Sequence, residues 1–259
     1  MRTILKWAAV LAIAAMPVAA TAFSARALPV QVDPDIVAAG KQLKAKLDSA
    51  ARDTAPTLRN ADAPLVRRAF SEKALRALPA TPAIGDACVS IGEAIVAYVD
   101  YATRTAEGET DPAKAHDAII LAIQDELTLG TVAANICTKL GFVAVVQVVE
   151  GMSASDRTRV TGPLTQMRQG ASMTFRGTLD SSADPAMRPA NRGMMLTALV
   201  EAAVSAAPSL LPADRAPLRE RALELARGAT PEARKQLDAI AQGFATTACD
   251  VLCKAAGGS

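Results

Sequence analysis

Four cysteines carry the most restrictive chemistry in this sequence. Cys88, Cys137, Cys249 and Cys253 form an even set without a Cys-x-x-Cys spacing, which in an exported chain favours two disulfides over a metal site. Cys249 and Cys253 lie four residues apart, on one face of a predicted C-terminal helix that continues to about residue 255. We therefore expect each of them to bond separately to Cys88 or Cys137. The alternative pairs Cys88 with Cys137 and Cys249 with Cys253.

The only histidine, His116, limits the possible catalytic chemistry. One imidazole does not make a histidine-rich zinc site or a di-iron bundle, and no Gly-x-Ser-x-Gly elbow accompanies it. No glycine-rich phosphate loop is present either. We expect His116 to be a surface residue, and we predict neither a metal nor a cofactor.

Carboxylate pairs are the remaining candidates for catalysis, because a glycoside hydrolase needs only Asp and Glu. Glu93 and Asp100 lie seven residues apart on one predicted helix face. Asp125 and Glu126 stand where a long helix turns apolar, and Glu201 interrupts another apolar helix. Two carboxyl groups buried together share a proton, and the protonated one acts as a general acid. The alternative interpretation is surface charge or salt bridges between helices.

Methionine is concentrated in the second half of the chain. Flexible thioether side chains form adaptable surfaces for apolar ligands or proteins, and exported methionine clusters also bind Cu(I). Filling of the core is the simpler interpretation. We take residues 167–195 as the best candidate contact region, with five ligand-binding candidates: Met167, Met173, Met187, Met194 and Met195.

The elements that position these residues are organised around one stretch, from about residue 116 to residue 150. Between Leu127 and Val149 it is almost continuously apolar and has no face clearly meant for water, and a helix that is apolar all round is buried by its neighbours or by lipid. Lys139 argues against a membrane span. Residues 141–151 are rich enough in β-branched residues for a buried strand, but a lone strand would leave its backbone unpaired. We predict a buried central helix.

A narrow polar stripe interrupts this helix, formed by Thr128, Thr131, Asn135 and Thr138. The stripe is either a seam of hydrogen bonds to neighbouring helices or the lining of a pocket. We expect the seam. Asn135 is kept as a further ligand-binding candidate for the second interpretation.

Helix starts recur along the chain. A capping Asp or Thr is followed directly by proline five times: Asp33-Pro34, Thr81-Pro82, Asp111-Pro112, Asp184-Pro185 and Thr230-Pro231. Proline is tolerated at the first helical position because its missing amide would be unpaired there. These signals, with only 3% aromatic residues, predict an all-α, multi-helix bundle of about eight helices around the central helix at 116–150, braced by two disulfides.

The first 22 residues resemble a secretory signal peptide. Arg2 and Lys6 precede a short apolar run, and cleavage is expected after Ala22 or, alternatively, after Ala27. Removing Arg2 and Lys6 leaves 26 basic residues against 26 acidic ones, which excludes a general basic surface for nucleic acid. We expect residues 23–259 to form a single all-helical domain in the periplasm or outside the cell, with no transmembrane span after signal removal.

No motif in the sequence specifies a reaction. We therefore expect an exported helical binding or scaffolding protein rather than an enzyme, whose partner is a hydrophobic small ligand or another protein. The alternative is a carboxylate-dependent hydrolase that acts on cell-wall or sugar substrates.

Overall fold

The computed structural model describes residues 34–258, which form helices and turns without a strand. The predicted all-α fold class is confirmed, and eight of these helices have eleven or more residues. In chain order they are α1 Pro34–Ser49, α2 Ala63–Ala69, α3 Glu72–Ala77, α4 Gly85–Ala106, α5 Pro112–Ala122, α6 Gln124–Glu150, α7 Ala154–Arg159, α8 Thr161–Ser182, α9 Pro189–Ala206, α10 Pro212–Ala226, α11 Pro231–Phe244 and α12 Val251–Ala255. Short 3₁₀ turns at Pro82–Ile84 and Ala207–Ser209 precede α4 and follow α9. The predicted signal peptide, with either cleavage site, lies outside the described residues.

Four of the five prolines in the predicted start signals begin a helix or a 3₁₀ turn: Pro34, Pro82, Pro112 and Pro231. At α5 and α11, Asp111 and Thr230 accept hydrogen bonds from amides three residues later, as helix caps do. The fifth prediction is wrong. Asp184 instead accepts a hydrogen bond from the Ala186 amide in a turn, and α9 begins later, at Pro189.

The central helix does not run unbroken from residue 116 to residue 150, and this prediction is wrong at its start. α5 ends at Ala122, and α6 begins at Gln124. The Gln124 side chain donates to the Leu121 carbonyl (3.0 Å) and accepts from the Arg188 amide (3.0 Å). In a continuous helix the Leu121 carbonyl would accept a hydrogen bond from a backbone amide four residues later. Here it accepts from the Gln124 side chain instead, which accounts for the break.

The burial of α6 is nearly complete in its first half and partial in its second half. Every residue from Glu126 to Thr138 except Leu129 is buried, whereas after Thr138 only Phe142, Ala144 and Val149 are buried and the others are half-buried or exposed. The expectation of a helix buried along its whole length is therefore wrong for its second half. Residues 141–150 are helical, so the choice of helix over strand is confirmed.

Two clusters of buried side chains form the interior. The first core joins α1–α4 to the first half of α6, and the second core joins the second half of α6 to α8, α10, α11 and α12. α9 contributes to both: Met195 and Ala198 belong to the first core, Leu196 and Leu199 to the second. α6 and α9 make the most extensive helix–helix contact among the described residues. These two helices therefore connect the two cores.

Two segments, Pro82–Ala106 and Gln124–Glu150, are long and apolar enough to cross a membrane. Their most apolar windows are 56% and 61% buried within the protein, and core helices of soluble proteins have the same composition. The absence of a membrane span stays a prediction.

The disulfides join Cys88 to Cys137 and Cys249 to Cys253, with Cα atoms 5.6 Å and 5.2 Å apart. The long-range pairing that we expected is wrong, and the alternative pairing is confirmed. The expected long-range pairing assumed one continuous C-terminal helix, but α11 ends at Phe244 and the short α12 starts at Val251. Asp250 caps α12 by accepting hydrogen bonds from the amides of Leu252 and Cys253, which brings Cys253 back to Cys249.

Glycine allows α4 to be approached closely from two sides. A Cβ atom on Gly40 of α1 would lie 2.9 Å from the Ser90 Cβ and 3.1 Å from the Ser90 carbonyl oxygen. A Cβ atom on Gly130 of α6 would lie 2.8 Å from the Ile95 Cγ1. In contrast, a Cβ atom on Gly141, also within α6, would meet no atom within 4 Å.

We expect Gly40→Ala to lower the free energy of unfolding by roughly 1–3 kcal/mol, because the added methyl group collides with the backbone of α4. Gly141→Ala is the matched control, since it should raise stability by up to about 1 kcal/mol through helix propensity alone. Urea unfolding of both variants measures the difference. Equal effects would show that α1 and α4 are not packed as described.

The two disulfides should differ in their contribution to stability. They are separated by 49 and 4 residues, so the chain-entropy relation gives about 4 kcal/mol for Cys88–Cys137 and about 2 kcal/mol for Cys249–Cys253. Urea unfolding of the two double Cys→Ser variants tests this order. Peptide mapping under non-reducing conditions tests the pairing itself, and a peptide joining Cys88 to Cys249 or Cys253 would contradict it.

Candidate functional site

The five candidate catalytic carboxylates lie on three helices. Glu93 and Asp100 are on α4, half-buried and exposed respectively, and Asp125, Glu126 and Glu201 are on α6 and α9. None of the five lines any of the three clefts that we consider as sites. The last three are instead held by partners in the protein.

Asp125 connects three segments of the chain. Its carboxylate accepts hydrogen bonds from the Arg188 Nη1 (2.7 Å) and the Asn191 Nδ2 (2.8 Å), and the Arg59 Nη2 lies 3.5 Å away. Partial burial opposes its ionisation, but the hydrogen bonds from Asn191 and Arg188 and the charge of both arginines outweigh burial and lower the pKa of Asp125. This carboxylate is an ionised structural anchor at neutral pH.

Glu126 is buried, with only 2% of its surface exposed. One carboxylate oxygen accepts a hydrogen bond from the Leu58 amide (2.7 Å), and the other has no partner among the described residues. Nearby, the Tyr98 hydroxyl donates to the Pro56 carbonyl (2.8 Å). Burial and the negative charge of Glu126 both raise the pKa of Tyr98. Together these contacts fix the segment between α1 and α2 against the first core.

Glu201 forms an ion-pair network between α3, α6 and α9. Arg76 donates to both of its oxygens (2.7 and 3.0 Å), and the Lys139 Nζ lies 3.3 Å away. The hydrogen bond from Arg76 lowers the pKa of Glu201, and partial burial only partly opposes it. Glu201 and Asp125 therefore pair with different arginine and lysine side chains, and they do not form a carboxylate pair with each other.

His116 is buried, with 4% of its surface exposed, so the expectation of a surface histidine is wrong. Neither ring nitrogen has a hydrogen-bond partner among the described residues, and the Asp117 Oδ1 lies 3.8 Å from the Nδ1. No group of three metal-ligating side chains occurs within residues 34–258.

The five candidate methionines do not share one surface. Met167, Met187 and Met195 are buried and belong to the cores, whereas Met173 and Met194 are 47% and 39% exposed. Three of them therefore fill the interior. The exposed two lie on α8 and α9.

The polar stripe of α6 is buried against α8 and α9. The hydroxyls of Thr128, Thr131 and Thr138 each donate to the carbonyl four residues earlier in α6. Two residues of the stripe also donate to other helices: the Asn135 Nδ2 to the Thr178 Oγ1 of α8 (3.1 Å) and the Thr128 hydroxyl to the Met195 sulfur of α9 (3.9 Å). The stripe is therefore a buried seam whose hydroxyls are satisfied mainly by their own helix, and none of the three clefts includes it.

A cleft of about 400 Å³ lies where four helices end, and we call it the four-helix cleft. The C-terminal ends of α8 and α10 and the N-terminal parts of α9 and α11 surround it. Its apolar lining consists of Ala183, Leu196, Leu225, Ala229, Ala233 and Leu237. A pocket of this volume with such a lining suits a small organic molecule.

Arg192 forms the main polar part of this cleft. Its Nε and Nη2 donate to the carbonyls of Ser182 (2.7 Å) and Asp184 (3.0 Å), which closes the end of α8 onto α9. Glu224, also at the rim, accepts a hydrogen bond from Arg221, which in turn binds Asp180 of α8. The polar groups therefore hold the surrounding helix ends in place around an apolar floor.

The largest of the three clefts, about 590 Å³, lies between α7 and α12. Arg157 there donates to the carbonyls of Val149 and Glu150, and Asp250 caps α12. Arg157 and Asp250 thus complete helix ends, but Glu150 and Lys254 also line this cleft, so four of its nine lining residues are charged. A third cleft, of about 280 Å³, lies at the start of α10.

No protein-family model, curated protein or solved structure matches this chain. The choice of site therefore depends on its own geometry. The four-helix cleft overlaps the predicted contact region 167–195 at Ser182–Arg192, but its lining contains none of the five candidate methionines. Small alanines at helix ends give no distinctive sequence signal, which is why the sequence did not reveal it.

Acidification should weaken the Asp125 anchor. Because its pKa is lowered in the folded protein, its contribution to stability is present above its ordinary pKa and is lost as the pH falls through the folded value. We expect Asp125→Asn to reduce the free energy of unfolding at pH 7 by about 1–2 kcal/mol and to have a smaller effect near pH 3. Asp100→Asn is the control, since Asp100 is exposed and in no ion pair with a described residue. An equal effect of both variants at both pH values would contradict the anchor.

Proposed function

We propose that the mature chain is an exported helical binding protein that holds a small apolar molecule in the four-helix cleft. The observation that supports this proposal is the cleft itself, with six apolar residues lining a volume of about 400 Å³. Burial of an apolar ligand against such a floor is favourable by roughly 25 cal/mol per Å² of apolar surface removed from water. Binding of such a ligand therefore requires neither a charged partner nor a metal.

The site is preformed, which favours ligand binding over a purely structural gap. Arg192 bridges the end of α8 to α9, and Arg221 bridges α10 to Asp180 of α8. A ligand then loses little free energy to ordering of the protein. The buried floor residues Leu196 and Leu237 also belong to the second core, so the floor is as rigid as that core.

Export is part of the same proposal. It is supported by the signal-like residues 1–22 and by two disulfides that account for all four cysteines, a pattern typical of oxidising compartments. N-terminal sequencing of the protein released by its host would show Phe23 or Leu28 as the first residue. An intact Met1 in the released protein would contradict a cleaved signal.

The alternatives have less support in the described residues. A docking surface for a protein partner would need a contiguous apolar patch, and the large exposed hydrophobic side chains are four: Met173, Met194, Val204 and Leu223. A carboxylate-dependent hydrolase would need two carboxylates converging on one cleft. Three of the five candidates are engaged in anchors instead, so no observation favours the hydrolase.

Native mass spectrometry of the protein purified from its own host tests the proposal most directly. We expect a bound small molecule that dissociates on denaturation. The same spectrum reports whether a protein partner copurifies. Repeated isolation of the unliganded chain from its host would count against the proposal.

Filling the four-helix cleft should abolish binding of a neutral apolar probe. We expect N-phenyl-1-naphthylamine to fluoresce on binding the wild-type protein and Ala229→Trp to weaken that binding about tenfold or more, because an indole occupies the apolar floor. Ala38→Trp, on the exposed side of α1, is the matched control and should bind the probe as the wild type does. Equal binding by all three proteins would place the probe elsewhere and remove the support for this cleft.

A further inference from the structure

Arg215 is a buried cation without a carboxylate partner. Only 4% of its surface is exposed, and its Nη1 donates to the carbonyls of Ala248 (2.7 Å) and Ala207 (3.3 Å). It takes part in no ion pair with a described residue. Buried charges in proteins are nearly always paired with an opposite charge. Two carbonyl dipoles therefore stabilise the charge of Arg215 without neutralising it.

The third cleft places a second arginine beside Arg215. Arg219 lies four residues later, on the same face of α10, and it is exposed and unpaired among the described residues. The opposite side of the cleft is formed by Thr246 and Thr247, and Phe244 supplies an aromatic side. We call this the arginine cleft. No acidic residue lines it.

The charged side chains that line the arginine cleft are all positive. Two guanidinium groups lie in the first half of α10, a helix of 15 residues whose N-terminus, at Pro212, adds partial positive charge. The nearest acidic neighbour in sequence, Asp214, is turned to the Leu211 amide. The lining therefore carries two guanidinium charges that no carboxylate of a described residue neutralises, and Arg219 is the exposed one.

We propose that the arginine cleft binds a small phosphate-type oxyanion, either free phosphate or the terminal phosphate of a small monoester. One guanidinium group can donate two parallel hydrogen bonds to two phosphate oxygens, and a threonine hydroxyl can donate to a third oxygen. A carboxylate has too few oxygens to use both arginines and the hydroxyls. A volume of about 280 Å³ limits the ligand to a small molecule. This site is separate from the four-helix cleft, so the inference does not depend on the function proposed above.

Isothermal titration calorimetry of the mature protein with inorganic phosphate, in a low-salt Tris buffer, tests the proposal. We expect saturable binding that Arg219→Gln weakens about tenfold or more, because one charged pair of donors is lost. Arg227→Gln is the matched control, since Arg227, directly after α10, is also exposed and has no ion pair with a described residue, and its replacement changes the net charge by the same amount. Its affinity should equal that of the wild type.

Phenyl phosphate distinguishes the two sources of the oxyanion. Tighter binding than inorganic phosphate indicates a monoester whose organic part lies against Phe244, and equal binding indicates free phosphate. Thr247→Val provides a second variant on the opposite side of the cleft, and it should also weaken binding while circular dichroism confirms the fold. The proposal is overturned by an absence of saturable binding at millimolar phosphate, by equal losses in Arg219→Gln and Arg227→Gln, or by binding that occurs only on phosphatidylglycerol vesicles.

Discussion

The packing of α6 against α9 is the constraint on which the rest of the structure depends, because both helices contribute to both cores. Met195 and Leu196 are adjacent on α9 but belong to different cores, so α9 cannot rotate without opening one of them. Polar contacts fix its position along α6: Asp125 accepts hydrogen bonds from Asn191 and Arg188 near the start of both helices, and Lys139 pairs with Glu201 further along. The two helices therefore run in the same direction. The four-helix cleft forms where the start of α9 meets the ends of its neighbours.

The parts of the fold that could be predicted from the sequence are those decided by neighbouring residues. Asp111 and Thr230 cap helices through amides three residues away, so their role is visible in the sequence. The break at Ile123 could not be predicted, because Gln124 reaches the Arg188 amide, 64 residues away. The disulfide pairing was missed for the same reason. It depends on where α11 ends, and the single glycine next to Phe244, Gly243, does not by itself show that the helix stops there.

The candidate sites were less visible still. Carboxylates attract attention in a sequence because their chemistry is known, yet their partners in the fold decide what they do, and Asp125 and Glu201 are neutralised by distant arginines and lysine. The four-helix cleft is made of alanines and leucines that resemble any helix interior. Arg215 and Arg219 read as ordinary charges of a surface helix, and only the burial of Arg215 separates it from its neighbours. Burial of a charge is a tertiary property, which a helical pattern does not encode.

The placement of the aromatic residues has a practical consequence for spectroscopy. Both tyrosines of the sequence, Tyr98 and Tyr101, lie in the first core, and the only tryptophan, Trp7, falls within the predicted signal peptide. The second core contains only phenylalanine rings, with those of Phe175 and Phe244 5.6 Å apart. Near-ultraviolet absorbance and tyrosine emission of the mature chain therefore report on one half of the interior. Loosening of the other half would leave these signals unchanged and would be seen only through the backbone, as a loss of helical circular dichroism.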